Sequence, residues 1–235
     1  MRIERKLYLD RLVARKHNGF VKIITGIRRC GKSYLLFNLF REHLLAEGVP
    51  ASRIVTVALD DDANKELRDS IRLGEWIRRR IKSRGMHYVF IDEIQMAQKV
   101  LPEGVDLSRI APEDRASAYV TFYDVLNGLV KLPNVDVYVT GSNSKMLSTD
   151  IATNFRDRGD EVRMHPLTFA EYLTVANKDK SDAWAEYLVY GGMPGLVERH
   201  GAEQKKSYLA QLFSRVYFKD IVERYNLKGD RLSKM

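Results

Sequence analysis

Cysteine is nearly missing from this sequence: Cys30 is the only one, so the chain forms no internal disulfide and has to be held by a packed core. Also missing is any apolar run near the roughly 20 residues that cross a bilayer. The opening Met1-Arg2-Ile3-Glu4-Arg5-Lys6 has none of the apolar core of a secretory signal. Together these absences make a reducing cytoplasm the expected compartment and argue against a membrane partner. Internal repeats and low-complexity tracts are absent too, which sets aside solenoids and disordered linkers. What is present suits a globular α/β chain: 235 residues, 45% of them hydrophobic, enough for one large domain or a domain with a smaller attachment. Carboxylates are in the minority, 31 against 39 lysines and arginines, and the resulting +8 raises the question of a polyanionic partner.

The most informative segment is Gly26-Ile27-Arg28-Arg29-Cys30-Gly31-Lys32-Ser33, a G-x-x-x-x-G-K-[ST] phosphate-binding loop. Such a loop turns its backbone N–H groups inward toward phosphate oxygens, and Gly26 and Gly31 supply the dihedral freedom that this needs. Lys32 would set its charge against the β- and γ-phosphates, and Ser33 would offer its hydroxyl to Mg²⁺. The helix beginning near Tyr34 would turn its positive end to the anion. The expected ligand is therefore a nucleoside triphosphate with Mg²⁺, bound by residues 26–34. The context agrees: Phe20 to Thr25 is β-rich, and Ser33 to Leu45 has helical apolar spacing up to Gly48 and Pro50.

Further strands are expected at 53–59, at 87–95 and at 135–140. The stretch His87-Tyr88-Val89-Phe90-Ile91-Asp92-Glu93 reads as a buried parallel strand that opens into a site through two carboxylates. Asp92 fits the magnesium shell, and Glu93 fits the general base that polarises an attacking water. The fourth strand ends in Gly141-Ser142-Asn143-Ser144, from which Ser142 or Asn143 can reach the γ-phosphate or the water; a plain helix N-cap is the other reading. One helix is expected from the acidic trio Asp60 to Asp62 through to about Lys82, a long loop over 96–115, and another helix over 117–131. Alternating strands and helices imply a parallel sheet with helices on both faces, whose ligand lies beyond the carboxyl ends of the strands.

With Pro166-Leu167-Thr168-Phe169-Ala170-Glu171-Tyr172-Leu173, Gly191-Gly192-Met193-Pro194 and Phe218-Lys219-Asp220-Ile221 added to these motifs, the chain resembles the prokaryotic AAA-like ATPases. In those proteins a P-loop domain is followed by a helical region and a C-terminal domain of uncharacterised, often restriction-endonuclease-like, function. The resemblance implies an α/β P-loop fold with an additional strand: a three-layer sandwich around a central parallel sheet, then a helical region. It divides the chain into an ATPase domain, 1–165, and a helical lid or incomplete second domain, 166–235. It makes Lys32 and Ser33 the phosphate and magnesium residues, Asp92 the magnesium carboxylate, Glu93 the base and Asn143 the γ-phosphate sensor. It also suggests Arg158, with Arg156 as fallback, as an arginine acting on the transferring phosphoryl group from within the chain or from a neighbouring subunit. Relatives commonly continue beyond the final helix, so a C-terminal domain is expected to be lacking here.

Two functions follow. One is ATP hydrolysis coupled to movement of the helical region or of a partner. The other is a nucleotide-dependent binding switch with little intrinsic hydrolysis, and a small-molecule kinase ranks behind both. Arg72 with Arg78-Arg79-Arg80, Lys82 and Arg84 reads either as a solvated face at a helix end or as a contact for nucleic acid or an acidic protein, with no stacking platform of aromatics evident. Cys30, inside the loop, reads as a small turn residue or as a thiol whose alkylation ATP would block. The oligomeric state is not legible.

Overall fold

The computed structural model describes residues 2–82, 84–141, 154–155 and 158–214. Five strands, β1 (Val21–Thr25), β2 (Ile54–Ala58), β3 (His87–Asp92), β4 (Val135–Gly141) and β5 (Gly159–Arg163), form one sheet in the order β2-β3-β4-β1-β5. Every neighbouring pair is parallel. The additional strand β4 therefore stands between β1, which feeds the phosphate loop, and β3, which carries Asp92. The three inner strands are buried along their whole length, as expected of a parallel sheet covered on both faces, whereas the outer strands β2 and β5 keep exposed positions.

Strand periodicity sorts the core into two layers. Val21, Ile23, Val55, Val57, Val89, Ile91, Val137 and Val139 face one side. They pack there with Leu73 and Ile77 of α3 (Ser70–Arg78) and with Val125, Leu126 and Leu129 of α4 (Phe122–Leu129). The other side is aromatic, with Phe90 and Tyr138 paired in register and their ring centroids 5.5 Å apart. Phe40 closes over both, at 5.6 and 4.7 Å. Phe40 belongs to α2 (residues 32–46), which continues from the phosphate loop as Lys32–Tyr34, a π-helical stretch Leu35–Phe40 and Arg41–Ala46. Ahead of the sheet lies α1 (Lys6–Ala14), with Tyr8 and Leu12 buried.

The aromatic side also holds a buried ion pair at the amino edge of the sheet. Lys22 Nζ donates to Asp136 Oδ1, with both side chains almost wholly out of solvent. Asp136 Oδ2 accepts from the Tyr138 hydroxyl at 2.8 Å and from the His17 N–H at 3.0 Å. Burial lowers the Lys22 pKa and the adjacent carboxylate raises it, the net shift being downward.

Two expected elements take other forms. The single helix read from the acidic trio to Lys82 is a 3₁₀ segment, Asp62–Arg68, followed by α3. The break falls at Asp69, whose carboxylate accepts the N–H groups of Ile71 and Arg72, and a cap of this kind starts a helix rather than continuing one. The helix expected from 117 starts at Phe122, where Thr121 and Asp124 form a capping box. Before it, Val100 and Val120 exchange backbone hydrogen bonds of 2.9 and 2.8 Å, which closes residues 101–119 into a loop with 3₁₀ turns at Leu107–Arg109 and Pro112–Ala118.

The described chain divides into two compact units: residues 5–26 with 32–164, which contain the sheet, and residues 2–4, 27–31 and 165–214. In the second unit Thr168 and Glu171 cap α5 (Phe169–Leu173), and Asp179 caps α6 (Lys180–Tyr190). Gly191, at φ 74°, ends α6, and the Gly192 carbonyl accepts the Leu167 N–H at 2.7 Å. A β-carbon on Gly192 would lie 2.0 Å from the Leu167 carbonyl oxygen, so this glycine is needed for the close approach. Tyr187 Oη donates to that same oxygen at 2.8 Å. Phe169, Trp184 and Tyr187 pack edge to face and stacked around it, and α7 (Ala202–Leu212) follows. Glu186 accepts from Lys178, Lys205 and the Tyr172 hydroxyl. Among the described residues no helix is long and apolar enough to cross a membrane.

Candidate nucleotide site

Backbone geometry defines the phosphate loop. Gly26 and Gly31 have φ of 140° and 103°, and Arg29 is left-handed at 64°. Left-handed residues are costly for anything but glycine, and alternation of this kind turns successive N–H groups to one side, the shape that cradles an anion. The Cys30 N–H closes a turn on the Ile27 carbonyl at 3.3 Å. The Cys30 side chain is fully buried, which fits the small turn residue of the two readings offered for it.

Lys32 is buried, and its Nζ donates to the Gly26 carbonyl at 2.9 Å, so the ammonium is held back against the first residue of the loop. One residue on, Ser33 is hydrogen-bonded through its side chain to Asp92. The link follows from the fold: α2 covers the aromatic side of the sheet, and Asp92 is two and four residues beyond Phe90 and Tyr88 on that same side. Burial pushes the Asp92 carboxyl above the ordinary range; hydrogen bonds from Ser33 and Thr140 oppose this, and the charges of Glu93 and Asp60 add to it.

Thr140, fully buried on β4, is the residue that sequence reasoning missed. Its hydroxyl donates to Asp92 Oδ1 and accepts the Glu93 N–H at 3.1 Å, so it fixes both acidic residues from the neighbouring strand. The available signal was a polar side chain at the carboxyl end of the strand, in phase with Tyr138 and Asp136. Glu93 itself is left-handed at φ 50°, outside the strand, and its Oε2 accepts from the Gln95 amide.

A hydroxyl and a carboxylate are hard oxygen donors. Two of them beside a phosphate cradle suit Mg²⁺, which keeps several waters and takes the rest of its shell from phosphate oxygens. Among the described residues no group of three or more His, Cys, Asp or Glu side chains is placed to hold a metal.

Lys32, Ser33, Asp92, Glu93 and Thr140 are thus assembled at the carboxyl edge of the sheet. Asn143, with Ser142, Ser144 and the fallback Arg156, lies outside the described residues. Arg158 is not with the others. Its carbonyl accepts the Val21 N–H at 2.8 Å, at the opposite end of β1 from Gly26, roughly 16 Å away at the usual strand rise. The reading of Arg158 as acting from within the chain is corrected accordingly. A residue that precedes a parallel strand lies at the amino edge, and the loop that follows a strand lies at the carboxyl edge.

A family model described as an AAA domain matches residues 18–173. An uncharacterized protein of Haemophilus influenzae is 29% identical over 238 aligned residues, covering 99% of this chain and 54% of that protein, so the chain spans about half the length of this relative. Among solved structures, the Walker-type ATPase of Pyrococcus abyssi superposes with a TM-score of 0.56 at 15% identity, covering 96% of this chain and 76% of that one. DnaA from Aquifex aeolicus, solved with AMPPCP bound, gives 0.50 at 14% identity, covering 96% and 65%. Likeness at this level of identity establishes the α/β P-loop fold.

Proposed function

The chain belongs to the AAA domain family, and on that premise we propose that it binds ATP with Mg²⁺ and hydrolyses it, coupling nucleotide state to movement of its helical region or of a partner. The observation that supports this reading is the chain of contacts Ser33–Asp92–Thr140–Glu93, which brings a hydroxyl and two carboxylates to one sheet edge. Lys32, released from the Gly26 carbonyl, would neutralise charge on the β- and γ-phosphates. Ser33 and Asp92 would hold Mg²⁺, which when bound supplies further charge neutralisation on the phosphates. Glu93 would orient a water and accept its proton as the oxygen attacks phosphorus. Asn143 is kept as the γ-phosphate sensor. Arg158, given its edge, is kept only as an arginine supplied to a neighbouring subunit's nucleotide.

A second reading, a nucleotide-dependent switch with slow turnover, is favoured by the Gln95 amide on Glu93, since the amide competes with a water for the same carboxylate oxygen. The test is Glu93→Gln beside Lys32→Ala. ATP binding retained and turnover abolished in the first, with binding lost in the second, is the expected pair of results. Phosphate release that survives Glu93→Gln overturns the base assignment.

A further inference from the structure

We propose that the amino edge of the sheet, at the opposite end of the strands from the phosphate loop, is a binding surface for the phosphate backbone of duplex DNA. Three chain segments meet there, 50–54 before β2, 74–87 from α3 into β3, and 128–135 from α4 into β4. Between them they carry Arg53, Arg78, Arg79, Arg80, Lys82, Arg84 and Lys131 against one carboxylate, Glu75. These three segments alone carry seven cations against one carboxylate, in a chain whose net charge is +8.

Contacts between the segments make this a built surface. The Asn134 side-chain amide donates to the Lys82 carbonyl at 2.8 Å, and the His87 N–H donates to the Asn134 carbonyl at 2.8 Å. Buried His87 accepts the Lys82 N–H at Nε2, 3.2 Å away, which leaves Nδ1 to donate to the Gly85 carbonyl at 2.9 Å. The Arg53 guanidinium lies over Gly85, where a β-carbon would come within 2.3 Å of it. Arg78 likewise lies across α4 at Gly128, where a β-carbon would come within 2.7 Å. Cations ordered before binding lose less side-chain entropy when phosphates arrive.

The plainer account is that cations gather at a helix C-terminus because of its dipole. That effect dies away within the last turn. It covers Arg78 to Arg80 and gives no reason for Arg53, Lys82, Arg84 or Lys131. Arginine makes up five of the seven, and its planar fork suits phosphate oxygens better than a point charge does. The duplex is favoured over a single strand because the aromatic face in the patch is already taken. Arg80 stacks on Trp76 at 3.6 Å, so no ring is offered to an unpaired base.

The experiment is fluorescence anisotropy with a labelled duplex of about 20 base pairs, without nucleotide, so that failure here leaves the ATPase reading untouched. If about four phosphates are neutralised, log Kd should rise with log salt at a slope near 3.6, a loss of about a hundredfold in affinity between about 50 and 200 mM salt. The R79Q/R80Q/R84Q variant should bind at least about tenfold more weakly at low salt and show a shallower slope by about 2 to 3. A variant with the same charge change elsewhere, K65Q/K180Q/K206Q, should bind like the parent chain. Equal weakening by both variants would reduce the effect to net charge and overturn the proposal. Tighter binding to a single strand of the same length, or equal binding to polyglutamate of the same charge, overturns it as well. Thermal melting of each variant establishes that the comparison is between folded proteins.

Discussion

The hydroxyl of Thr140 is hydrogen-bonded to the Asp92 carboxylate across neighbouring strands, and the same oxygen accepts the backbone N–H of Glu93. Thr140→Val keeps the shape and removes both bonds, leaving a buried carboxylate short of a donor and an N–H short of an acceptor. Expected is a fall in single-turnover ATP hydrolysis of about tenfold to a hundredfold, on the scale of one misplaced catalytic contact, with ATP affinity within about threefold of the parent. Thr140→Ser should restore most of the rate. An unchanged rate in the valine variant would show that Thr140 is packing only.

Asp92 is nearly buried, and burial is the main reason its carboxyl sits above the ordinary range, so the folded chain bears a cost for keeping this charge. Asp92→Asn removes the charge and can still accept from Thr140. The variant should melt higher than the parent without nucleotide, by an amount corresponding to about 0.5–2 kcal/mol, and should lose the extra stabilisation that ATP gives in the presence of Mg²⁺. A lower melting temperature without nucleotide would contradict this.

At the other end of the strands, Asp136 is held by Lys22, Tyr138 and the His17 N–H. Truncating one partner strands the other. Urea denaturation of Asp136→Ala should show a loss of about 3–5 kcal/mol, while ATP affinity measured below the transition stays near the parent value, because this cluster lies at the amino edge. The Lys22→Met/Asp136→Leu pair should recover part of the loss; failure to recover any would mean that the network, and not the stranded charge, sets the cost.

Glu186 gives the second unit a pH signature. Burial works to raise its pKa, but hydrogen bonds from Lys178, Lys205 and Tyr172 prevail and hold it at about 2, from an ordinary 4.5. A depressed acid stabilises the fold above its unfolded pKa, and that contribution fades as the pH falls toward the folded value. On the order of 2–3 kcal/mol should be present near neutrality and disappear between about pH 4.5 and 2. Trp184 lies in the same unit, and its fluorescence can follow the change during acid titration. Glu186→Gln should start less stable and lose less over that interval; a slope equal to the parent's would refute the assignment.

Much of this was legible in the sequence. Strands β1 to β4 fall within a residue or two of where β-branched runs place them, except that β3 ends at Asp92, where Glu93 turns left-handed. The left-handed turn at Gly26 and Gly31 and the place of Asp92 at the end of β3 could be anticipated, the first because glycine tolerates such dihedrals and the second because the apolar run stops there. What could not be read there depends either on local geometry that several patterns share or on contacts between distant segments. The break at Asp69 looks like helix interior until its carboxylate is seen capping α3, and the π-helical stretch Leu35–Phe40 has the same apolar spacing as an α-helix. The pairing of Thr140 with Asp92 needs the register of β3 against β4. The edge occupied by Arg158 could have been worked out, since strand direction alone decides it.

The clasp between Val100 and Val120 leaves the sheet indifferent to how much chain lies between them. Closing a loop becomes only slightly harder as the loop grows, by about 0.6 kcal/mol for each doubling of its length. The 101–119 excursion is thus a natural socket for a fused reporter or affinity domain, and a sensor built there would leave the strand order and the nucleotide edge as they stand.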